Sequence, residues 1–161
     1  MTEGVGLEQA RVVAELVLGT GVFTDAILAR LARDARLVVV ELNPTLAARL
    51  AATRRDPRLT VVRGTAADLA AAVGEPADAV VSGLPWTVMP QDRRGQILDA
   101  VADVLAPGGR FTTFACLHAA WTPPGRHLTA ELARRFDRLE RSRTVWANLP
   151  PAFVHRAVRR P

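Results

Sequence analysis

The sequence predicts an α/β fold in which seven strands form a mostly parallel sheet, with helices on both faces and an antiparallel hairpin at one edge. Short β-branched runs alternate with segments of helical periodicity along most of the 161 residues, and such alternation is typical of a parallel sheet with right-handed crossovers. A glycine turn, Gly19-Thr20-Gly21, joins the first strand to the first helix. The last two strands are joined only by residues 147–151, which are too few for a parallel return and therefore predict a hairpin.

The first strand and the first helix flank the glycine turn. Residues 12–18 form an apolar run of strand type, and a helix follows because apolar residues recur on one helical face, at Phe23, Ile27, Leu28 and Leu31. Glycine has no Cβ, so backbone N–H groups in such a turn can approach a ligand closely. Val17 stands where the first glycine of a three-glycine dinucleotide fingerprint would be. The turn alone therefore indicates a ligand site without identifying the ligand.

The rest of the chain continues the alternation. Strands are predicted over residues 36–41, 58–63, 77–82, 110–117, 138–146 and 152–158, and helices over residues 43–55, 66–73, 91–105 and 127–136. Asn43 and Pro44 supply the N-cap and the first-turn proline of the second helix. The run Pro107-Gly108-Gly109 is predicted to end the fourth helix, and residues 122–125 are predicted to form a proline-rich loop.

Composition indicates one intracellular domain over residues 1–161, and 49% hydrophobic residues suffice for its core. The 21 basic residues, all Arg, exceed the 16 acidic ones, which permits anionic partners such as membranes or RNA. A general preference of the genome for arginine over lysine explains the same composition. Cys116 is the single cysteine, so an internal disulfide and a multi-cysteine zinc site are excluded. No apolar run reaches the ~18 residues of a membrane span, and we expect a cytoplasmic protein with peripheral membrane contact as an option.

An acidic residue at the end of the second predicted strand narrows the ligand class. Glu41 lies twenty residues after Gly21, where an acidic side chain in a Rossmann-like unit accepts hydrogen bonds from both ribose hydroxyls. NAD-binding proteins share this spacing. It therefore predicts an adenosine-type ligand rather than one cofactor.

Four stretches together resemble a known family: ELVLGTGVFT, VVVELNP, SGLPW and LAPGGRF. They are similar to motifs of the Rossmann-like class I S-adenosylmethionine-dependent methyltransferases, nearest to bacterial phospholipid N-methyltransferases and ribosomal RNA adenine dimethylase-like proteins. Glu15, two residues before the first glycine position, and the terminal hairpin favour S-adenosylmethionine over NAD. The resemblance covers residues 12–156.

The resemblance implies a set of cofactor-binding residues. Glu15, Gly19 and Gly21 would lie along the methionine part, with Val17 in the same turn, and Glu41 would bind the ribose. Leu42 and Asn43 would lie beside the adenine, Asp68 would accept its amino group, and Ser82 would complete the site from the fourth strand.

The turn after the fourth strand predicts the acceptor. Methyl transfer is an in-line displacement, in which the protein aligns and desolvates the nucleophile without a metal. Enzymes that methylate nucleobase amines usually carry Asn or Asp at the head of this turn, whereas Gly83 stands here. A plain amine, such as that of phosphatidylethanolamine or another small amine, is therefore favoured over adenine, with nucleic acid the less favoured partner.

Several side chains around this turn are candidates for the chemistry. Aromatic faces bind methylated cations, and the residues expected to contact the acceptor are Leu84, Pro85, Trp86, Phe114 and Trp121. His118 follows the fifth strand, and histidine is a common general base that could accept the proton of an ammonium substrate. Trp86 and His118 are therefore the predicted catalytic residues.

Two alternatives stay open. One is an RNA adenine N6-methyltransferase, which the basic charge and the Leu-Pro-Trp turn favour. The other is a non-catalytic methyltransferase-fold binding module, because a β-branched Val17 would resist positive φ and because the chain reaches its first strand without the lid helices of relatives.

Overall fold

The computed structural model describes residues 1–17 and 21–161, which form one seven-stranded sheet with helices on both faces. The strands are β1 Val12–Val17, β2 Arg36–Glu41, β3 Leu59–Arg63, β4 Ala77–Ser82, β5 Leu105–Cys116, β6 Arg138–Arg141 and β7 Ala152–Val158. The α-helices are α1 Val22–Leu28, α2 Pro44–Thr53, α3 Leu69–Val73, α4 Gln91–Val104 and α5 Pro123–Arg135. Short 3₁₀ helices cover Ala66–Asp68, Trp86–Val88 and Leu117–Trp121.

The strand order is β3-β2-β1-β4-β5-β7-β6. The first five strands in this order pair in parallel, and β7 runs antiparallel to both β5 and β6. The predicted sheet with its closing hairpin is confirmed. The order reverses between β1 and β4, and in open α/β sheets ligands bind at the carboxyl ends of the strands beside such a reversal.

Alternate residues of the central strands face two apolar cores. One core packs β1, β2 and β4 against α3, α4 and α5, where the rings of Phe111 and Phe136 stack with centroids 5.6 Å apart. The other packs the opposite sheet face against α1, α2 and the residues before β1. Because both faces are covered, these strands contain near-continuous apolar runs, and their bounds match the prediction closely.

The hairpin differs from its prediction. The strand expected over residues 138–146 ends at Arg141, and Val145 makes only an isolated antiparallel bridge with Ala152. The Ser142 side chain accounts for the early end, because its Oγ accepts the Val154 N–H at 2.9 Å in place of a backbone carbonyl. Residues 142–151 therefore form a loop, here called the β6–β7 loop.

Two further boundaries differ. Strand β5 begins at Leu105, before the run Pro107-Gly108-Gly109, and its register with β4 shifts across that run. Helix α5 begins at Pro123 with Thr122 as N-cap, where a loop was predicted. Proline is well tolerated in the first turn of a helix because its missing N–H has no helical partner there.

No helix within residues 1–17 and 21–161 is both long and apolar enough to cross a bilayer.

Candidate functional site

Two buried carboxylates mark the carboxyl ends of β1 and β2. Glu15 is 1% exposed, and the Thr24 hydroxyl of α1 donates to its Oε2 at 2.7 Å. Burial raises the pKa of Glu15 to about 7, against the opposing hydrogen bond from Thr24. Within the described residues no group donates to its Oε1. A buried acceptor without a donor is costly, so a ligand cation or N–H group at this oxygen would be stabilising.

Glu41 ends β2 beside the end of β1. It is fully buried, pairs in register with Val17, and accepts the backbone N–H of Asn43 at 2.8 Å. The Asn43 side chain in turn accepts the N–H groups of Thr45 and Leu46 as the N-cap of α2, at 2.9 and 3.3 Å. The helix start therefore orients the Glu41 carboxyl at the strand end, as the spacing from Gly21 predicts.

Gly21 is the N-cap of α1 and requires glycine for two reasons. Its φ of 71° lies in the left-handed region, and a Cβ there would overlap the Leu50 side chain. Arg54 holds the start of this helix through two bonds to Asp25, at 2.7 and 2.8 Å, and one to the Gly21 carbonyl at 3.4 Å. Gly19, the other predicted glycine of the turn, lies outside the described residues.

A first cavity of about 270 Å³ lies at the carboxyl edge of the sheet. Its wall includes residues from the ends of four strands: Val17 on β1, Leu42 after β2, Thr65 after β3, and Leu84 and Pro85 after β4. The wall is mostly apolar, which suits the flat face of a nucleobase. Val17 and Leu42, which the resemblance assigns to the cofactor, therefore lie at the same cavity as Leu84, which was predicted to contact the acceptor.

Val17 does not carry the backbone strain expected of it. It ends β1 in strand conformation at 7% exposure, and over residues 1–17 and 21–161 positive φ occurs only at glycines. The expectation of an unfavourable positive φ at this residue is therefore wrong. The residue belongs to the core that packs against α1 and α2, and it also lines the first cavity.

The turn after β4 is tied to both neighbouring strands. Ser82 is fully buried, its Oγ accepts the Leu84 N–H at 3.3 Å, and its carbonyl accepts the Thr113 hydroxyl of β5 at 3.1 Å. The Gly83 N–H donates to the Leu16 carbonyl of β1 at 2.9 Å. The Ser82 side chain thus shapes the turn itself.

A second cavity of about 200 Å³ is lined by residues of α1, β5, β7 and the β6–β7 loop. Its wall includes Phe23, Phe114 and Phe153, and the first two rings have centroids 6.4 Å apart at 49°. A Cβ at Gly83 would lie 3.3 Å from the Phe23 ring. The strand-four turn therefore lines the first cavity through Leu84 and, at Gly83, lies against Phe23 of the second.

Phe23 was missed as a site residue by sequence reasoning, which assigned it only to the inner face of a helix. Its signal in the sequence is its position two residues after Gly21, on the first turn of α1. Phe114, in contrast, was predicted and lines this cavity.

Trp86 lies in the core rather than at a binding surface. It is 1% exposed and packs edge-on against Phe111, with ring centroids 6.1 Å apart and planes at 86°. The 3₁₀ helix Trp86–Val88 directs the indole inward, and no described residue pairs with its Nε1. The structure thus contradicts the prediction that its face contacts the substrate.

Asp68 caps a helix at the rim of the first cavity. Its Oδ2 accepts the Thr65 N–H at 3.2 Å and the Thr65 hydroxyl at 2.7 Å. These two bonds lower the pKa of the carboxyl. The carboxylate fixes Thr65, which lines the cavity, and it does not line the cavity itself.

His118 and Trp121 follow β5 on the 3₁₀ helix Leu117–Trp121 and are both exposed, Trp121 at 75%. In the part of the chain that the structure describes, neither side chain lines either cavity. The structure therefore does not bring these two predicted residues together with Phe114.

Comparison with known proteins identifies the family. Residues 13–109, more than half of the chain, match the family described as "Methyltransferase domain". The ornithine lipid N-methyltransferase of Singulisphaera acidiphila is 41% identical over 110 residues, which cover 65% of this chain. The aligned part spans only 57% of that relative's length.

Solved structures share the fold. The N-methyltransferase NodS from Bradyrhizobium japonicum has a TM-score of 0.76 at 15% identity, covering 94% of this chain and 87% of that one. A putative rRNA-methylase from Clostridium thermocellum has a TM-score of 0.66 at 16% identity, covering 92% and 87%. NodS in complex with S-adenosyl-L-homocysteine has a TM-score of 0.71 at 16% identity, covering 93% and 78%. The chain therefore belongs to the methyltransferase domain family and has the fold of the class I S-adenosylmethionine-dependent methyltransferases, as the resemblance predicts.

Proposed function

We propose that this chain transfers a methyl group from S-adenosylmethionine, the cofactor of its family, to the amine nitrogen of a lipid headgroup. The observation that carries the proposal is the surroundings of Gly83: no side chain is present to hold a nucleobase amine, and the Phe23 ring lies 3.3 Å from where a Cβ would be. The 41% identity to an ornithine lipid N-methyltransferase supports the lipid amine. Phosphatidylethanolamine and ornithine lipid both present such an amine.

The residues at the carboxyl edge fit the cofactor. The Oε1 of Glu15, which lacks a described partner, suits an ammonium group, and the buried Glu41 carboxyl suits a pair of ribose hydroxyls. Gly21 begins α1 in a left-handed conformation that favours glycine, and the walls of the first cavity near Val17 and Leu42 suit the adenine. When bound, S-adenosylmethionine supplies an electrophilic methyl group on a sulfonium.

Other residues of the predicted cofactor set act indirectly in this proposal. Asn43 orients Glu41 through its backbone N–H and starts α2 with its side chain. Asp68 fixes Thr65, and Ser82 shapes the strand-four turn through the Leu84 N–H. These residues position the groups that would contact the ligand.

The second cavity suits a lipid amine. An apolar wall disfavours the ammonium form of an entering amine and lowers its pKa, so the amine that attacks is neutral. No carboxylate or imidazole of the described residues lines this cavity, and we infer that the proton passes to water as the amine enters. The faces of Phe23 and Phe114 then stabilise the methylated cation. His118 stays a prediction for the proton acceptor.

Transfer of a labelled methyl group tests the proposal. Vesicles that contain phosphatidylethanolamine or ornithine lipid, and separately an adenine-containing RNA, are incubated with labelled S-adenosylmethionine and the chain. We expect label in the lipid amine and none in the RNA. Methyl-adenosine as the product would instead establish the nucleic acid alternative. Cofactor binding without any methylated acceptor would establish the non-catalytic one.

A further inference from the structure

The β6–β7 loop exposes large apolar side chains that the proposed reaction does not use. Val145, Trp146 and Leu149 are 49, 72 and 94% exposed. Scattered apolar residues are ordinary on a protein surface, but here three stand within five residues on one loop. A cluster of this kind indicates a surface that another phase or molecule covers.

The loop is held outward by hydrogen bonds at its base. The Ser142 N–H donates to the Val154 carbonyl at 2.9 Å, and the Val145 N–H donates to the Ala152 carbonyl at 2.7 Å. Near its tip, the Asn148 amide donates to the Pro150 carbonyl at 2.6 Å. Because these hydrogen bonds order the loop at its base and near its tip, Trp146 and Leu149 are already presented to solvent on an ordered segment.

The loop and the strand that follows it are basic. From residue 141 to residue 161 the sequence contains five arginines and no acidic residue. Arg141 and Arg143, both exposed, stand at the start of the loop, and the Arg141 guanidinium lies 3.7 Å from the centroid of the Phe153 ring. Exposed Trp and Leu beside several Arg is the composition of a segment that binds an anionic lipid surface.

The loop also borders the second cavity. Val145 and Asn148 line it together with Phe23 and Phe114. Strand β6 is parallel to β5, because both pair antiparallel with β7. The loop therefore leaves the sheet at the same carboxyl edge as the two cavities.

We propose that the β6–β7 loop docks on an anionic lipid bilayer by inserting Trp146 and Leu149 into its interface, with Arg141 and Arg143 at the lipid phosphates. Docking in this way holds the second cavity at the level of the headgroups. The use of that cavity for a lipid amine rests on the proposed function. A lipid amine can then enter between Phe23 and Phe114 while its acyl chains stay in the bilayer.

Vesicles without an amine-bearing substrate test the docking separately from methyl transfer. Sedimentation with phosphatidylcholine–phosphatidylglycerol vesicles measures the partition of wild type, of the double variant Trp146→Ser/Leu149→Ser, and of Trp121→Ser. Since these two side chains supply most of the apolar area that would leave water on docking, we expect the double variant to lose at least ~10-fold in partition. Trp121 is as exposed as Trp146 but lies outside the loop, so Trp121→Ser is expected to bind as wild type.

A charge pair and a fluorescence signal complete the test. Arg143→Glu is expected to weaken binding, more so at low salt. Arg55 is also exposed but lies outside the loop, so Arg55→Glu is expected to bind as wild type. In a Trp121→Phe background, brominated lipids are expected to quench Trp146. Binding that survives the double variant, equal loss in Trp121→Ser, or self-association through the loop would each overturn the inference. Vesicle binding without lipid methylation contradicts the proposed function alone, and methylation of detergent-dispersed lipid without vesicle binding contradicts the docking alone.

Discussion

Glu15 is the residue whose protonation links stability to the site. Its pKa of about 7 in the folded chain exceeds the ordinary value of 4.5 because the carboxyl is buried. Between these two values the folded state binds the extra proton, so stability falls as pH rises through this window. Above pH 7 the free energy of unfolding is therefore lower by about 3 kcal/mol than it is below pH 4.5, as far as Glu15 contributes.

The substitution Glu15→Gln tests this assignment. The amide oxygen keeps the bond from Thr24 and cannot ionise. We expect the free energy of unfolding in urea to fall between pH 5 and pH 8 by about 2 to 3 kcal/mol more for wild type than for the variant. Equal pH dependence of the two proteins would show that Glu15 is not the buried titrating group.

Phe23 is the second residue on which the account depends, because it contacts the strand-four turn and lines the second cavity. Phe23→Ala removes one aromatic face and enlarges the cavity, so we expect the rate at limiting amine lipid to fall by about 10-fold. Its neighbour Val22 is 69% exposed on the same helical turn, and Val22→Ala is the matched control. Titration with S-adenosylhomocysteine should give the same affinity for both variants. A selective loss of cofactor affinity in Phe23→Ala would assign the residue to the cofactor instead.

At the scale of elements, α4 and α5 are joined by a buried ion pair. Arg94 Nε lies 2.6 Å from Glu131 Oε2, with side chains 3 and 6% exposed. Breaking such a pair leaves a buried charge without compensation, so Glu131→Gln is expected to cost about 3 kcal/mol of unfolding free energy. The double variant Arg94→Met/Glu131→Leu removes both charges and should recover most of that loss.

A second ion pair between the same helices is the control. Arg135 Nε lies 2.6 Å from Asp99 Oδ1, but the Asp99 side chain is 63% exposed. Asp99→Asn is therefore expected to cost less than about 1 kcal/mol. Chemical denaturation of the three variants and wild type measures both pairs, and similar costs for Glu131→Gln and Asp99→Asn would contradict the role of burial.

How much the sequence predicts depends on where each element gets its stability. Strands β1, β2 and β4 are buried on both faces, so their apolar runs match the observed bounds within one residue. Strand β6 is an edge strand, and it ends where the Ser142 Oγ accepts the Val154 N–H. A side-chain hydrogen bond of this kind leaves no signal in the hydrophobic periodicity of the sequence. Edge and loop boundaries are decided by tertiary contacts, and there the prediction was too long.

The candidate site divides in the same way. Glu41 follows from its spacing after Gly21 and Glu15 from the resemblance of its motif, and both side chains are buried. The direction of the Trp86 ring depends on the short 3₁₀ helix Trp86–Val88, and the sequence Leu-Pro-Trp by itself does not determine whether the ring points inward or outward. Phe23 belongs to the site only because Gly83, far away in sequence, leaves it room.

At the scale of the whole molecule, one edge of the sheet gathers the groups that the proposed reaction needs. The strand-four turn lines the first cavity through Leu84 and lies against Phe23 of the second, and the β6–β7 loop borders the second. The opposite edge carries the helix-to-strand connections and the start of β1. Cofactor, acceptor and bilayer would therefore approach from one direction, which suits an amine that stays attached to a membrane lipid.

Titration calorimetry with S-adenosylhomocysteine on wild type and Glu41→Ala tests most directly whether this edge is an S-adenosylmethionine site. We predict saturable binding by wild type and an affinity at least ~10-fold lower for the variant, because hydrogen bonds to a charged group contribute about 1.5 to 3 kcal/mol. Asp99 is exposed on α4 and lines neither cavity, so Asp99→Asn should bind as wild type. An absence of binding by wild type, or equal binding by wild type and Glu41→Ala, would contradict the account.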